Sequence, residues 1–98
     1  MNASIGIQIV PKVTGDEEVI RIVDEVISYI RLTGLSYFVG PLETSVEGDI
    51  DELMDIIRNC QRIAAEAGAD SVSTYVKINY RPNGDVLTIE KKVSKYHK

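Results

Sequence analysis

Hydrophobic residues in this chain change their spacing in a fixed order, and that order limits the possible folds more than any other feature. Residues 3–12 place Ile5, Ile7 and Ile9 between Ser4, Gly6 and Gln8, the period-two pattern of a strand with one apolar face. Pro11 lacks a ladder donor, so this strand is expected to fray there or lie at an edge. Val19, Ile22, Val23, Val26, Ile27 and Ile30 then recur at steps of three and four, the stripe of an amphipathic helix. Thr14 with Glu17 predicts a capping box at its start, Asp16 adds charge to the first turn, and Gly34 predicts a left-handed residue at its end.

Residues 35–48 predict a hairpin: Tyr37, Phe38 and Val39 favour a strand, Gly40-Pro41-Leu42-Glu43 a turn, and Thr44–Glu47 a second strand. Gly40 could equally mark a bulge, which leaves the register open. A second helix is predicted from Asp49, with Glu52 as cap partner and Gly68 as its stop. Leu53, Met54, Ile57, Ala64 and Ala67 are expected on its buried face, with Ile56, Cys60 and Ile63 beside it. Residues 71–81 alternate again, with Val72, Thr74, Val76, Ile78 and Tyr80 on one side and Ser73, Tyr75, Lys77, Asn79 and Arg81 on the other. After a turn at Pro82-Asn83-Gly84, the segment Val86–Ile89 could pair back as a strand. Ile89, Val93 and Tyr96 instead fit a short C-terminal helix that starts near Thr88 and Glu90, and this is the reading adopted.

The order strand, helix, strand, strand, helix, strand is a split pair of βαβ units. It predicts an α+β, ferredoxin-like sandwich: a four-stranded antiparallel sheet with two helices on one face. The length of 98 residues suits one domain over positions 1–98. The isoleucines of strand one and the valines of the last strand would meet the helices. The other sheet face, with Ser4, Gly6, Gln8, Tyr75, Lys77 and Asn79, would be left without a cover. A solvated face is the plain explanation. Its mixture of small, amide, hydroxyl and aromatic groups equally suits a ligand pocket or a subunit contact, and small domains gain missing burial by oligomerising.

Several function classes find little support. The net charge is −4, with three basic and eight acidic residues in positions 1–50 against eight and seven in 51–98. Basic residues do not gather beyond Lys91-Lys92, so no phosphate-tracking nucleic-acid surface is expected. No apolar run approaches the length that spans a bilayer, and no secretion signal opens the chain, so a cytoplasmic location is expected. Cys60, the single cysteine, excludes an internal disulfide and reads as a small buried hydrophobe. With one histidine, His97, near the end, neither a Cys–His pair nor a zinc site is expected. Glu43 and Glu47 would share a strand face about 13–14 Å apart, too far for glycosidase-type cooperation. They could instead hold a cation or an exocyclic amine. Asp49, Asp51 and Glu52 serve the helix start. Lys77 opposes a bound cation unless it pairs with Glu43 or Glu47.

Four segments together resemble the small thiamine-binding proteins of ferredoxin-like fold. They are the opening Ile-Gly-Ile-Gln-Ile-Val-Pro, the stretch from Gly40 through Glu-Thr-Ser-Val-Glu-Gly to Asp49, the strand from Ser73 to Arg81, and the ending Leu87-Thr-Ile-Glu-Lys-Lys-Val93. The resemblance covers nearly the whole chain. It implies binding of thiamine or its hydroxymethylpyrimidine part, without catalysis and without a cofactor, by a homotetramer built as a dimer of dimers. Thr44 and Glu47 match the family's polar segment, and Gln8, Ser73 and Asn79 fall on the uncovered face. With Tyr37 and Glu43 these form the expected ligand-binding set. An aminopyrimidine requires fixed donors and acceptors beside an apolar or aromatic wall, and a thiazolium requires an anion or an aromatic face. The alternative is a regulatory or assembly module like the amino-acid-sensing domains of the same strand order, although no fused catalytic domain is present to regulate. An acylphosphatase-like hydrolase would want an arginine in a loop near the first strand, where only Lys12 stands.

Overall fold

The structure is a computed structural model and describes residues 1–97. Its elements run β1 (Ala3–Pro11), α1 (Asp16–Leu32), β2 (Tyr37–Val39), β3 (Thr44–Gly48), α2 (Ile50–Glu66), β4 (Val72–Tyr80) and α3 (Ile89–Val93), with a single 3-10 turn at Ser94–Tyr96. All four strands pair antiparallel in the order β2-β3-β1-β4, the ferredoxin-like arrangement. The expected α+β architecture is therefore present, including the short C-terminal helix.

Registers follow from the apolar pattern, because a slip of one residue would turn every side chain over. Ile5 faces Val46 and Ile78, and Ile7 faces Thr44 and Val76. This row meets Ile22, Val26 and Ile30 of α1 and Leu53, Ile56, Cys60 and Ala64 of α2, all buried. Each fully buried aliphatic side chain contributes about 1.5–3 kcal/mol of transfer free energy. The molecule extends 41 × 32 × 21 Å, and the thin dimension is that of one helix layer on one sheet layer.

Three local expectations are corrected. Thr14 and Glu17 form no capping box; α1 starts from Gly15 at φ 92°, and its side-chain cap is missing. At α2, Asp49 and Glu52 likewise make no cap bond; the Ile50 amide instead donates to Asn2 Oδ1 across 2.9 Å, so the cap comes from the beginning of β1. Met54 is 45% exposed, and Ile56 takes the inward position that had been assigned to it. Gly34 and Gly68 do adopt the left-handed conformation, at φ 79° and 118°. At Gly68 the stop is a Schellman motif: Ala69 N–H donates to Ala64 O and Gly68 N–H to Ala65 O.

Pairing also fixes the far side of the sheet. Ser4 stands beside Glu47 and Asn79, Gly6 beside Ser45 and Lys77, Gln8 beside Tyr75, and Phe38 beside Ser45. This side is not bare, as the sequence had implied. The chain turns back after β4, and α3 with the following turn packs over part of it.

Candidate functional site

The polar sheet face becomes a site because the C-terminal segment forms a wall above it. Thr88 caps α3 by accepting from Lys91 N–H at 3.1 Å. Glu47, only 5% exposed, accepts from Ile89 N–H at 2.9 Å. A charged acceptor strengthens such a bond, so a carboxylate on β3 fixes where α3 begins. Val86 is buried and donates its N–H to Met1 O, and the His97 ring lies 5.1 Å from the Phe38 ring between centroids.

Between this wall and the sheet lies a cavity of about 290 Å³. Its floor carries Ser4, Gly6, Ser45 and Asn79, Phe38 stands on one side, and Ile89, Lys92 and Val93 close the top. The volume falls near the lower end of small-molecule sites, enough for one heterocycle. Apolar walls around a few fixed hydroxyl and amide groups recognise a flat ring with donors and acceptors at its edge.

Glu43 is the anionic group of the site. Its carboxylate lies over Gly6, where a Cβ would overlap it. Lys77 Nζ meets Glu43 Oε1 at 2.6 Å, so the lysine that opposed a bound cation does pair with this glutamate. Glu43 also borders a second open-face hollow beside Gln8 and Tyr75, and an apolar groove along α1. It stands at the junction of three concave surfaces, positioned by a turn in which Gly40 N–H donates to Glu43 O at 2.9 Å.

The structure divides the residues expected from sequence. Glu43 and Asn79 line the cavity, and Gln8 lies beside it in the adjoining hollow. Glu47 sits under α3 in a structural bond. Ser73 is exposed opposite Val10, towards the far end of the sheet. Tyr37 and Thr44 belong to the other face: Tyr37 pairs with Val46 and packs on the core, and Thr44 pairs with Ile7 and is buried. Adjacent strand residues point to opposite sides, so Thr44 does not line the cavity beneath α3 that Glu43 borders, although both border the groove along α1. Phe38, Ser45 and Lys92 had been passed over. Ser45 shares the parity of Glu43 and Glu47, a signal present in the sequence; Phe38 joins that face only through its pairing with Ser45, and Lys92 only through the return of the tail.

Cys60 is fully buried, and desolvation pushes its thiol up to about 12, which keeps it protonated and inert. Among the described residues no group of three or more His, Cys, Asp and Glu could hold a metal ion. No described helix is long and apolar enough to cross a membrane.

Comparison with known proteins agrees with this geometry. A UPF0045 protein of Clostridium perfringens is 43% identical over 93 residues, 95% of each chain. A solved structure of a domain of unknown function, DUF77, from Bacillus cereus superposes with a TM-score of 0.85 at 38% identity, covering 98% of this chain and 90% of that one. A Thermotoga maritima structure, assigned provisionally to thiamine biosynthesis or salvage, superposes with a TM-score of 0.83 at 34% identity over 98% and 99% of the two chains. Residues 5–97 match the family described as thiamine-binding protein, and the chain belongs to that family.

Proposed function

We infer that this protein binds thiamine or its hydroxymethylpyrimidine part without transforming it. The observation that carries the reading is the cavity between α3 and the polar sheet face, with a carboxylate held flat on Gly6 at its edge. The aminopyrimidine lies against Phe38, with its ring nitrogens and amine directed at Ser4, Ser45 and Asn79. Glu43 receives the positive charge, either of the thiazolium or of a protonated pyrimidine, and Lys77 is the cation it holds when no ligand is bound. Family membership and the thiamine-related assignment of the Thermotoga relative support the choice of ligand. A binding role fits a cavity whose described lining carries no histidine or cysteine and whose one carboxylate is paired with Lys77.

Residues 1–98 act as one unit in this reading, in the cytoplasm, and assemble as a homotetramer. The long exposed edge strand β4 supports assembly. Calorimetric titration with thiamine and with hydroxymethylpyrimidine tests the binding. Heat release and a raised melting temperature are expected, since ligand at about 100 times its dissociation constant adds about 2.7 kcal/mol to stability. Neither heat nor a thermal shift at millimolar ligand would remove the reading.

A further inference from the structure

The charge around the cavity differs from that of the molecule as a whole. The protein carries a net charge of −4. The cavity beneath α3 contains Lys77 and Lys92 against Glu43, and Lys77 is already paired with that glutamate. Beside it, sharing Asn79, is a second hollow of about 530 Å³ bordered by Arg81, Lys91 and Asp85. Asp85 is taken by the amino group of Met1 at 2.7 Å, and Arg81 donates only to the Asp85 carbonyl, at 3.3 Å. Among the described residues, Arg81, Lys91 and Lys92 have no side-chain carboxylate within ion-pair distance.

Two unpaired lysines, and an arginine that shares Asp85 with the amino group of Met1, therefore border the cavity and the hollow joined to it at Asn79, while among the described residues the one carboxylate lining the cavity itself lies over Gly6. A neutral alcohol would make no use of that end. A phosphate would, because lysine and arginine bonds to an anionic oxygen are about twice as strong as neutral ones. We propose that the ligand is a phosphate monoester, with its ring in the cavity beneath α3 and its phosphate at the Asn79 end, held by Lys92 and Arg81 with Lys91 beside them. This rests on the pyrimidine or thiamine reading above and adds the phosphoryl group to it. The occupant is then a phosphorylated intermediate, so the reactions next to this protein are a kinase that supplies the ester or a transferase that consumes it.

The test compares hydroxymethylpyrimidine with its monophosphate, and thiamine with thiamine monophosphate, by calorimetry on the full chain and on Lys92→Gln and Arg81→Gln. Both side chains are exposed, so the fold should tolerate either change. The phosphate esters are expected to bind at least tenfold more tightly than the alcohols. That advantage should shrink to less than threefold in Lys92→Gln and weaken in Arg81→Gln, while the alcohols bind Arg81→Gln, which lies outside the ring cavity, as before. Raised salt should reduce the advantage in the parent protein. If the alcohols bind and the esters bind no better, the phosphate subsite is wrong and the binding reading stands. An advantage that survives both substitutions also overturns it. If none of the four compounds binds, both readings fall together.

Discussion

Gly6 shapes the site by what it lacks, because its missing side chain is what lets Glu43 lie on the sheet. A Cβ at this position would overlap the Glu43 carboxylate, which is the far end of a flexible chain and can swing away. Gly6→Ala should therefore leave stability within about 1 kcal/mol, since alanine also suits a strand better than glycine. Ligand affinity should fall at least tenfold. Calorimetry beside a urea titration separates the two effects, and unchanged affinity would show that the Glu43 position is immaterial. Cys60 makes the opposite case, a chemically capable group that the fold silences. With its thiol pushed up to about 12, it should resist maleimide at pH 8 in the native protein and react within minutes in denaturant. Rapid labelling of the folded chain would mean that α2 opens readily.

Elements were legible where local side-chain choice decides them, and less so where one element had to be placed against another. Strand β1 and helix α1 could be read because Ile5, Ile7 and Ile9, then Ile22, Val26 and Ile30, fix period and buried face together. The inward stripe of α2 lies slightly to one side of the expected one, because Met54 and Ile56 are equally apolar and only packing selects Ile56. Thr44 entered the expected ligand set through the family's polar segment, although strand parity separates it from Glu43 and Glu47. The seat of α3 was not legible at all: the bond from Ile89 N–H to Glu47 spans 42 residues, and no local pattern announces it. That bond yields a prediction about the element. Glu47→Ala should leave the Ile89 amide unpaired and destabilise the chain by about 1–3 kcal/mol. Amide exchange should rise from Val86 to Val93 and remain slow in β1, and thiamine affinity should drop with it. Uniform exchange across the chain would instead mean that Glu47 supports the whole sheet.

At the scale of the molecule, the two layers leave large apolar side chains exposed on separate sides. Tyr75, Ile78 and Tyr80 on β4 are 63%, 49% and 51% exposed, and β4 ends the sheet with an unpaired edge nine residues long. A long edge of this kind invites pairing with another chain. On the opposite side, Ile20, Val39 and Leu42 are exposed around the groove between α1 and the hairpin. A dimer of dimers requires two separate self-complementary surfaces, and these two patches lie on different sides of the molecule. The proposed tetramer therefore predicts a divided response to mutation. Light scattering at micromolar concentration should give four copies for the parent chain. Ile78→Lys with Tyr80→Lys should give two, because only the edge contact is lost, and Leu42→Asp should give two through loss of the other contact. Combining all three changes should give a folded monomer with the parent's circular dichroism. A monomeric parent chain would remove the tetramer, and a tetramer that survives the triple change would place its contacts elsewhere. Since the cavity beneath α3 is complete within one chain, the monomeric variant should still bind ligand, only with less stability to draw on.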